Sequence, residues 1–339
     1  MAISNELLSS TLYSIRDGEV DELFQKVAFL DGAKRFGGIE KENGGIKLQR
    51  PLALSEHSSI TQLSTGYEPV SLAVSDVMEP AVYEWADFAA PIVITKKEEL
   101  ENSGEKAIVK IVEARMRSVM GMLRRELNKQ LIAGSSTVLT DLGTLDGEAV
   151  ATGFLEHDAV GSQTNIVGGI SKNTYSSTTG WQNQIGDAAN AFGTNGIRVM
   201  TEIWAKANSR APMGDINQII ASEAAFANYK RALFAQERFI DEKTLDGGRL
   251  SLAFAGATVE QDLEMPSTGW GAGGADEASM FFLNYDAIKL ILHKDADFAV
   301  SPFEHVSGTT ARAATLYWKG QLIADHLGSL GVLERGDTY

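Results

Sequence analysis

Between Ile108 and Leu131, apolar residues return every three or four positions: Ile108, Val112, Met116, Val119, Leu123, Leu127 and Leu131. That is the spacing of one helix face. The run from Asn102 to Ala133 around them has no proline and one interior glycine after its first turn, Gly121. As a single helix it would be roughly 45–50 Å long, well beyond the usual globular helix of about 8–20 residues. Asn102 and Glu105 have the spacing of a capping box, and Gly134 stands where a left-handed C-terminal cap belongs.

Before this helix the pattern changes to period two. Ile46, Leu48, Leu52 and Leu54 alternate along one strand, and Ala86, Phe88, Ala90, Ile92 and Ile94 along a return strand. A long Ser- and Thr-rich excursion lies between them. Two strands alone are marginal in water, so this hairpin needs a partner surface. Residues 4–16 and 19–30 read as short amphipathic helices, followed by a loose glycine-containing stretch from Asp31 to Gly45.

Downstream, residues 135–192 carry few strand signals. A helix is expected through Ile197, Met200, Ile203, Trp204 and Ala207, and another over Ala224–Glu237. Strands are expected at 218–221, over Leu252–Leu263 and from Thr315 to His326 around Gly320, and 280–283 and 288–292 read as strands or a helix–strand junction. Helices and strands mix without a regular βα period, which predicts an α+β fold.

Composition narrows the function classes. The chain of 339 residues carries a net charge of −15, which argues against broad affinity for nucleic acid. With no cysteine it can form no disulfide and no thiolate metal site. The N-terminus lacks the pattern of a signal peptide, and no run of about 18 apolar residues is present to span a membrane. Charge is uneven: Lys96 to Lys129 holds nine Lys or Arg against six acids, whereas Ser251 to Met280 holds five acids and no base. A solvated helix face explains such a basic strip as readily as a functional surface does.

Catalytic motifs are missing. The histidines His57, His157, His293, His305 and His326 form no His-Glu-x-x-His run, and there is neither a P-loop nor a Gly-x-Ser-x-Gly elbow. Gly269, Gly271 and Gly274 match Gly-x-Gly-x-x-Gly by letters, but Met265-Pro-Ser-Thr precedes them where a dinucleotide site needs a strand. A glycine loop between strands is the better reading. The acidic pairs Asp262/Glu264 and Asp295/Asp297 make no twelve-residue calcium loop and read as solvated turn carboxylates. No catalytic residue, metal ligand or cofactor is assigned.

Several segments, in order, resemble the major capsid proteins of tailed bacteriophages with the HK97-like fold. They are Tyr83-Glu-Trp85-Ala-Asp-Phe88 running to Ile94, then Glu98-Glu-Leu-Glu-Asn-Ser-Gly-Glu105 opening the long helix. Val167-Gly-Gly-Ile-Ser-Lys-Asn-Thr-Tyr175 follows with Trp181 beyond it, then Asn284-Tyr-Asp-Ala-Ile-Lys-Leu290 and Leu316-Tyr-Trp-Lys-Gly-Gln-Leu322. The resemblance covers roughly residues 45–335. It implies an N-terminal arm (1–45) and an extended β-hairpin loop (46–95). A peripheral domain with a spine helix (96–150 and 281–339) and an axial domain (151–280) complete the chain.

The resemblance further implies a structural shell subunit, assembled in the host cytoplasm, whose hexamers and pentamers form the icosahedral head around double-stranded DNA. An encapsulin-type compartment shell is the rival reading, and an α+β enzyme a more distant one. The arm begins near Ser4 with no scaffolding segment before it, so a separate scaffolding protein is expected as partner, with a portal and decoration proteins. Residues 55–82 are expected to pack on another subunit, with Tyr67, Tyr83 and Trp85 as interface aromatics.

The two charge patterns compete, and the repeated −15 should prevail over the basic strip. Short duplex DNA titrated into free capsomers at about 0.15 M salt should bind no tighter than about 10⁻⁴–10⁻⁶ M, without sequence preference. Nanomolar or sequence-selective binding would contradict this balance.

Overall fold

In a computed structural model the described residues are 27–54, 62, 64, 66, 78–101, 105–133, 139–143, 153–156, 158, 160, 162–174, 180–210, 214–235, 243–244, 250–262, 265 and 278–339. The expected helix at 4–16, Asn102, Gly134 and the 269–274 glycine pattern lie outside them, as do Tyr67, His57 and His157.

Two sheets organise the chain. The first is built around β16 (Ala311–Ala324). One edge of β16 pairs antiparallel with β4 (Ala86–Thr95) over ten positions, from Ala311↔Thr95 to Gly320↔Ala86. The other edge takes β15 (Glu304–His305), β14 (Ala299–Val300) and β13 (Ile288–His293) in turn. β1 (Ile39–Glu42) adds in parallel to β13. Gly320 pairs with both Ala86 and Leu292. A Cβ there would meet the Trp318 ring at 2.6 Å and the Ile291 carbonyl at 2.9 Å, so only glycine fits.

The strands of the second sheet are β7 (Gln184–Asp187), β8 (Gln218–Ala221), β9 (Lys243–Thr244), β10 (Leu250–Phe254), β11 (Ala257–Gln261), β12 (Ala278–Leu283) and β17 (Gly331–Glu334). They lie in the order β7-β17-β12-β8-β11-β10-β9. Two helices, Ile197–Arg210 and Glu223–Ala235, pack against this sheet. Val199, Met200, Ile203, Phe226 and Tyr229 share a core with Ile219, Val259, Met280, Phe282 and Leu333.

Several elements differ from expectation. Residues 31–42 are not loose: α1 (Ala28–Arg35) and β1 occupy most of them. The run 252–263 is two strands, turned at Ala255 (φ 47°) and Gly256 (φ 92°). Strand 86–95 does not return along residues 46–54. That role falls to β3 (Met78–Glu84), which pairs with β2 (Lys47–Ala53) in a separate two-stranded sheet. Residues 78–82 therefore belong to the hairpin's own ladder. β12 and β17, both downstream of 277, join the sheet built from residues 184–261.

The long helix forms in two pieces: α2 (Lys96–Glu101) and α3 (Glu105–Ala133). Val112, Met116, Leu123, Leu127 and Leu131 are buried as their spacing requires, with Met120 and Ile132 beside them. The capping box seen here is Thr95/Glu98. The Glu98 carboxylate accepts from the Thr95 N–H at 3.0 Å and hydroxyl at 2.8 Å, and the Glu98 N–H donates back to Thr95 Oγ1 at 3.4 Å. The Thr95 N–H, with Arg115 adding to it, holds that carboxyl below its ordinary range. Arg115 also donates to the Val93 carbonyl, so α3 is fastened to β4 at the point where the strand becomes helix. Gly121 lies in the interior of α3, and a Cβ built on it would meet nothing within 4 Å. A mid-helix glycine costs about 0.5–1 kcal/mol relative to alanine, and no contact among the described residues requires it.

A fully buried lysine supports the hairpin from below. Lys172 Nζ donates to the Phe154 carbonyl at 2.7 Å and to Asn183 Oδ1 at 2.9 Å, with Glu156 Oε2 at 3.8 Å. Glu156 in turn accepts from the N–H groups of Thr164 (2.6 Å) and Asn165 (3.0 Å). These bonds fix the segment carrying β5 (Ile166–Val167) and β6 (Ile170–Ser171). Its turn residue Gly168 (φ 57°) lies under β3, where a Cβ would meet Ala81 at 2.8 Å.

Burial pushes Lys172 down from its ordinary value to about 7, against the opposing pull of Glu156. The unfolded side chain holds its proton to about pH 10.4. Between those two values the unfolded state binds more protons, so stability should rise with pH across that window. Lys172→Met removes the donor to the Phe154 carbonyl and the cation beside buried Glu156, and should cost about 3–5 kcal/mol. It should also abolish the part of the rise due to this group. Paired denaturation curves of wild type and variant, at about pH 7 and pH 9, measure both effects.

Candidate assembly surfaces

The β2–β3 hairpin has one covered face. Leu48, Leu52, Ala81 and Tyr83 are buried. The Val82 N–H donates to the Gly168 carbonyl at 2.9 Å. The opposite side and the ends are open: Ile46 is 92% exposed and Met78 62%. Sequence alternation placed Ile46 with the buried set. The structure ends the strand at Lys47, and Gly44 (φ 79°) and Gly45 (φ 113°) carry Ile46 outward.

Three contacts moor the hairpin to the first sheet. Tyr83 Oη donates to the Ala324 carbonyl at 3.2 Å and accepts from the Ala324 N–H at 3.3 Å. Trp85 Nε1 donates to the Gly45 carbonyl at 2.9 Å, and its indole meets the His293 ring edge-on at 5.7 Å between centroids. Arg50, on the same side of β2 as Leu48 and Leu52, reaches Glu40 at 2.5 Å, Glu42 at 3.9 Å and Asp325 at 4.0 Å. Burial raises the Asp325 carboxyl, with Arg50 pulling the other way; burial likewise raises the Tyr83 phenol.

The structure therefore places Tyr83 and Trp85 inside the subunit, 3% and 8% exposed, and leaves little of either ring for a neighbour. Tyr67 lies outside the described residues. Arg50, Ile46 and Met78 were not singled out from the sequence. A cation in register with an apolar stripe was the available signal for Arg50.

Along α3 the exposed positions include Arg117, Ser118, Met122, Arg125, Glu126 and Lys129, and Met122 is 71% exposed. Lys106 and Lys110 lie on the helix, but their side chains are outside the described set.

No acid–base or metal constellation emerges among the described residues. They contain no group of three or more His, Asp or Glu placed to hold an ion. Asp297 accepts from Lys41 at 2.6 Å and Asp262 from Asn128 at 2.8 Å, so these acids have protein partners. No described helix is long and apolar enough to cross a membrane.

No family model matches the chain, and no curated protein matches its sequence. Solved structures do match its fold. The capsid of cyanophage A-1(L) aligns at a TM-score of 0.59 and 15% identity, covering 92% of this chain and 93% of that one. The capsid of Myoviridae phage XM1 aligns at 0.53 and 11% identity, covering 91% of each. The holo-SrpI encapsulin complex from Synechococcus elongatus aligns at 0.51 and 10% identity, covering 87% and 84%.

If the open side of the hairpin meets a neighbour, Ile46→Ser and Met78→Ser should change the stability of the isolated subunit by no more than about 0.5 kcal/mol. Burying such a side chain is worth about 1.5–3 kcal/mol, so each change should weaken subunit association about tenfold or more. Sedimentation of wild type and variants against concentration would show it; unchanged association would leave this surface without a role. With its six-stranded sheet around β16, long helix fastened to β4 and outlying hairpin, and with alignments over about nine-tenths of both chains, the chain has the HK97-like α+β fold of phage capsid proteins.

Proposed function

We propose that this chain is the structural subunit of a phage head, a major capsid protein without catalytic residues. Its hexamers and pentamers would close into an icosahedral shell around double-stranded DNA. The observation that carries this reading is the alignment with phage capsids over about nine-tenths of both chains. It is supported by a hairpin that forms a two-stranded sheet of its own among the described residues and exposes Ile46 and Met78. Exposed apolar side chains of this kind favour burial against another copy.

In this reading the first sheet and α3 form the peripheral domain and the second sheet the axial domain. β12 and β17 carry the chain back into the axial domain. Residues 46–85 form the extended loop. Tyr67, within the excursion, is an aromatic residue expected at the neighbour. Tyr83 and Trp85 act from beneath by holding the loop's base. The shell would be completed in the host cytoplasm with a separate scaffolding protein, a portal and decoration proteins, and DNA would meet the inner wall by weak, non-specific contact.

The encapsulin alignment favours a second reading, a compartment shell. Nucleic acid in purified particles separates the two, since only a phage head holds a genome.

The purified protein should form capsomers or closed shells by light scattering and electron microscopy. A monomer near 36.5 kDa at every concentration and salt tested would overturn the proposal. Replacing residues 55–77 with an Asn-Gly turn, which suits a tight hairpin, should leave a folded subunit whose shells fail to form or lose heat resistance. Normal, heat-stable shells would show that the excursion is no clamp.

A further inference from the structure

Asn-Gly occurs twice in the chain, at Asn43-Gly44 and at Asn195-Gly196. The structure holds the two pairs in opposite ways. Asn43 is exposed and lies between β1 and β2, in backbone that belongs to neither strand. Gly44 and Gly45 follow it with φ of 79° and 113°, values open to glycine and costly for other residues. Asn195 sits inside the one-turn π-helix Phe192–Gly196, which runs straight into the helix Ile197–Arg210. Its N–H donates to the Ala191 carbonyl at 2.9 Å, and Gly196 is buried against the Phe192 ring.

That difference decides a reaction. An asparagine loses its side-chain amide when the backbone nitrogen of the next residue attacks its Cγ. The new C–N bond closes a five-membered succinimide and the Cγ–Nδ2 bond breaks. The amide nitrogen leaves as ammonia, taking the proton of the attacking N–H. Water then opens the ring at either carbonyl. One opening gives aspartate; the other gives isoaspartate, whose backbone runs through Cβ. Glycine hinders the attack least, because it has no Cβ. The backbone must also rotate the nitrogen onto Cγ, and a helix, held near a ψ of about −42°, opposes that rotation.

The consequence falls on the hairpin. Residues 43–46 form a strap fixed at both ends: the Lys294 N–H donates to the Glu42 carbonyl at 3.1 Å, and Lys47 pairs with Glu84. Isoaspartate would add one backbone bond of about 1.5 Å to that strap. Gly45 lies within it, and its carbonyl accepts from Trp85 Nε1 at 2.9 Å. A displacement of that length takes an acceptor out of hydrogen-bond range.

We propose that Asn43 is a site of spontaneous, irreversible conversion to isoaspartate, and that the conversion loosens the base of the hairpin by moving Gly45 away from Trp85. The proposal does not depend on what the subunit assembles into.

The test is ageing of the purified protein in mildly alkaline buffer, followed by peptide mass mapping and labelling with an isoaspartate-specific methyltransferase. Asn43 should lose its amide at least about tenfold faster than Asn195, and the methyl label should map to position 43. Hydrogen exchange across 47–53 and 78–84 should then be about tenfold faster in aged than in fresh protein. Asn43→Gln, which would have to close a larger ring, should keep the fresh rate through the same ageing. Freshly purified Asn43→Asp carries the new charge on an unaltered backbone and should keep it too. Retention of the amide at Asn43, or equal loss at Asn195, would overturn the site. Unchanged exchange after conversion would overturn the loosening. Faster exchange in fresh Asn43→Asp would assign the effect to charge and overturn the backbone mechanism.

Discussion

The first sheet, the hairpin and the long helix all depend on the ladder between β4 and β16. Residues more than two hundred positions apart in sequence meet there over ten pairs. The same ladder sets where the hairpin leaves the body, at Trp85, and where the long helix begins, at Thr95. β13, β14 and β15 take their places on the far edge of β16, and β1 is added through β13. Arg115 fastens α3 to β4 and Tyr83 fastens the hairpin to Ala324. Each outlying element is thus referred to one strand pair, whose formation must overcome the entropy of closing a very long loop.

That dependence explains what the sequence could and could not convey. The apolar stripe of α3 was legible because helical periodicity is local: Val112, Met116, Leu123, Leu127 and Leu131 face the core as their spacing implies. Strand existence was legible too, since alternation is local. Strand partnership was not. Residues 78–84 and 86–95 carry the same period of two, and nothing nearby says that one pairs with β2 and the other with β16. The turn at Ala255 and Gly256 was hidden because alternation reads almost continuously through it.

The candidate surface was legible in outline only. An excursion too long for a compact domain pointed to the hairpin, but not to which of its side chains are covered. Tyr83 and Trp85 look alike in sequence to aromatics at an interface, and a layer formed by distant residues 168, 293 and 324 buries them. Ile46 follows the buried parity and is turned out by two glycines. Lys172 gives no local sign of burial, because its acceptors on Phe154 and Asn183 come from separate segments. The Thr95/Glu98 box, by contrast, was written in plain Thr-x-x-Glu spacing just before the residues on which the capping expectation was placed.

The passage from β3 to β4 across the single residue Trp85 has a mechanical consequence. In an antiparallel pair the hydrogen bonds lie perpendicular to the strands. Tension drawn along the hairpin and delivered along β4 would therefore load its ladder with β16 in shear, sharing the force among all its pairs together. The same force applied across the strand end would peel the pairs one at a time. The loop is thus attached as a cable is spliced, by overlap along its length, and the splice is set against the longest strand of the first sheet.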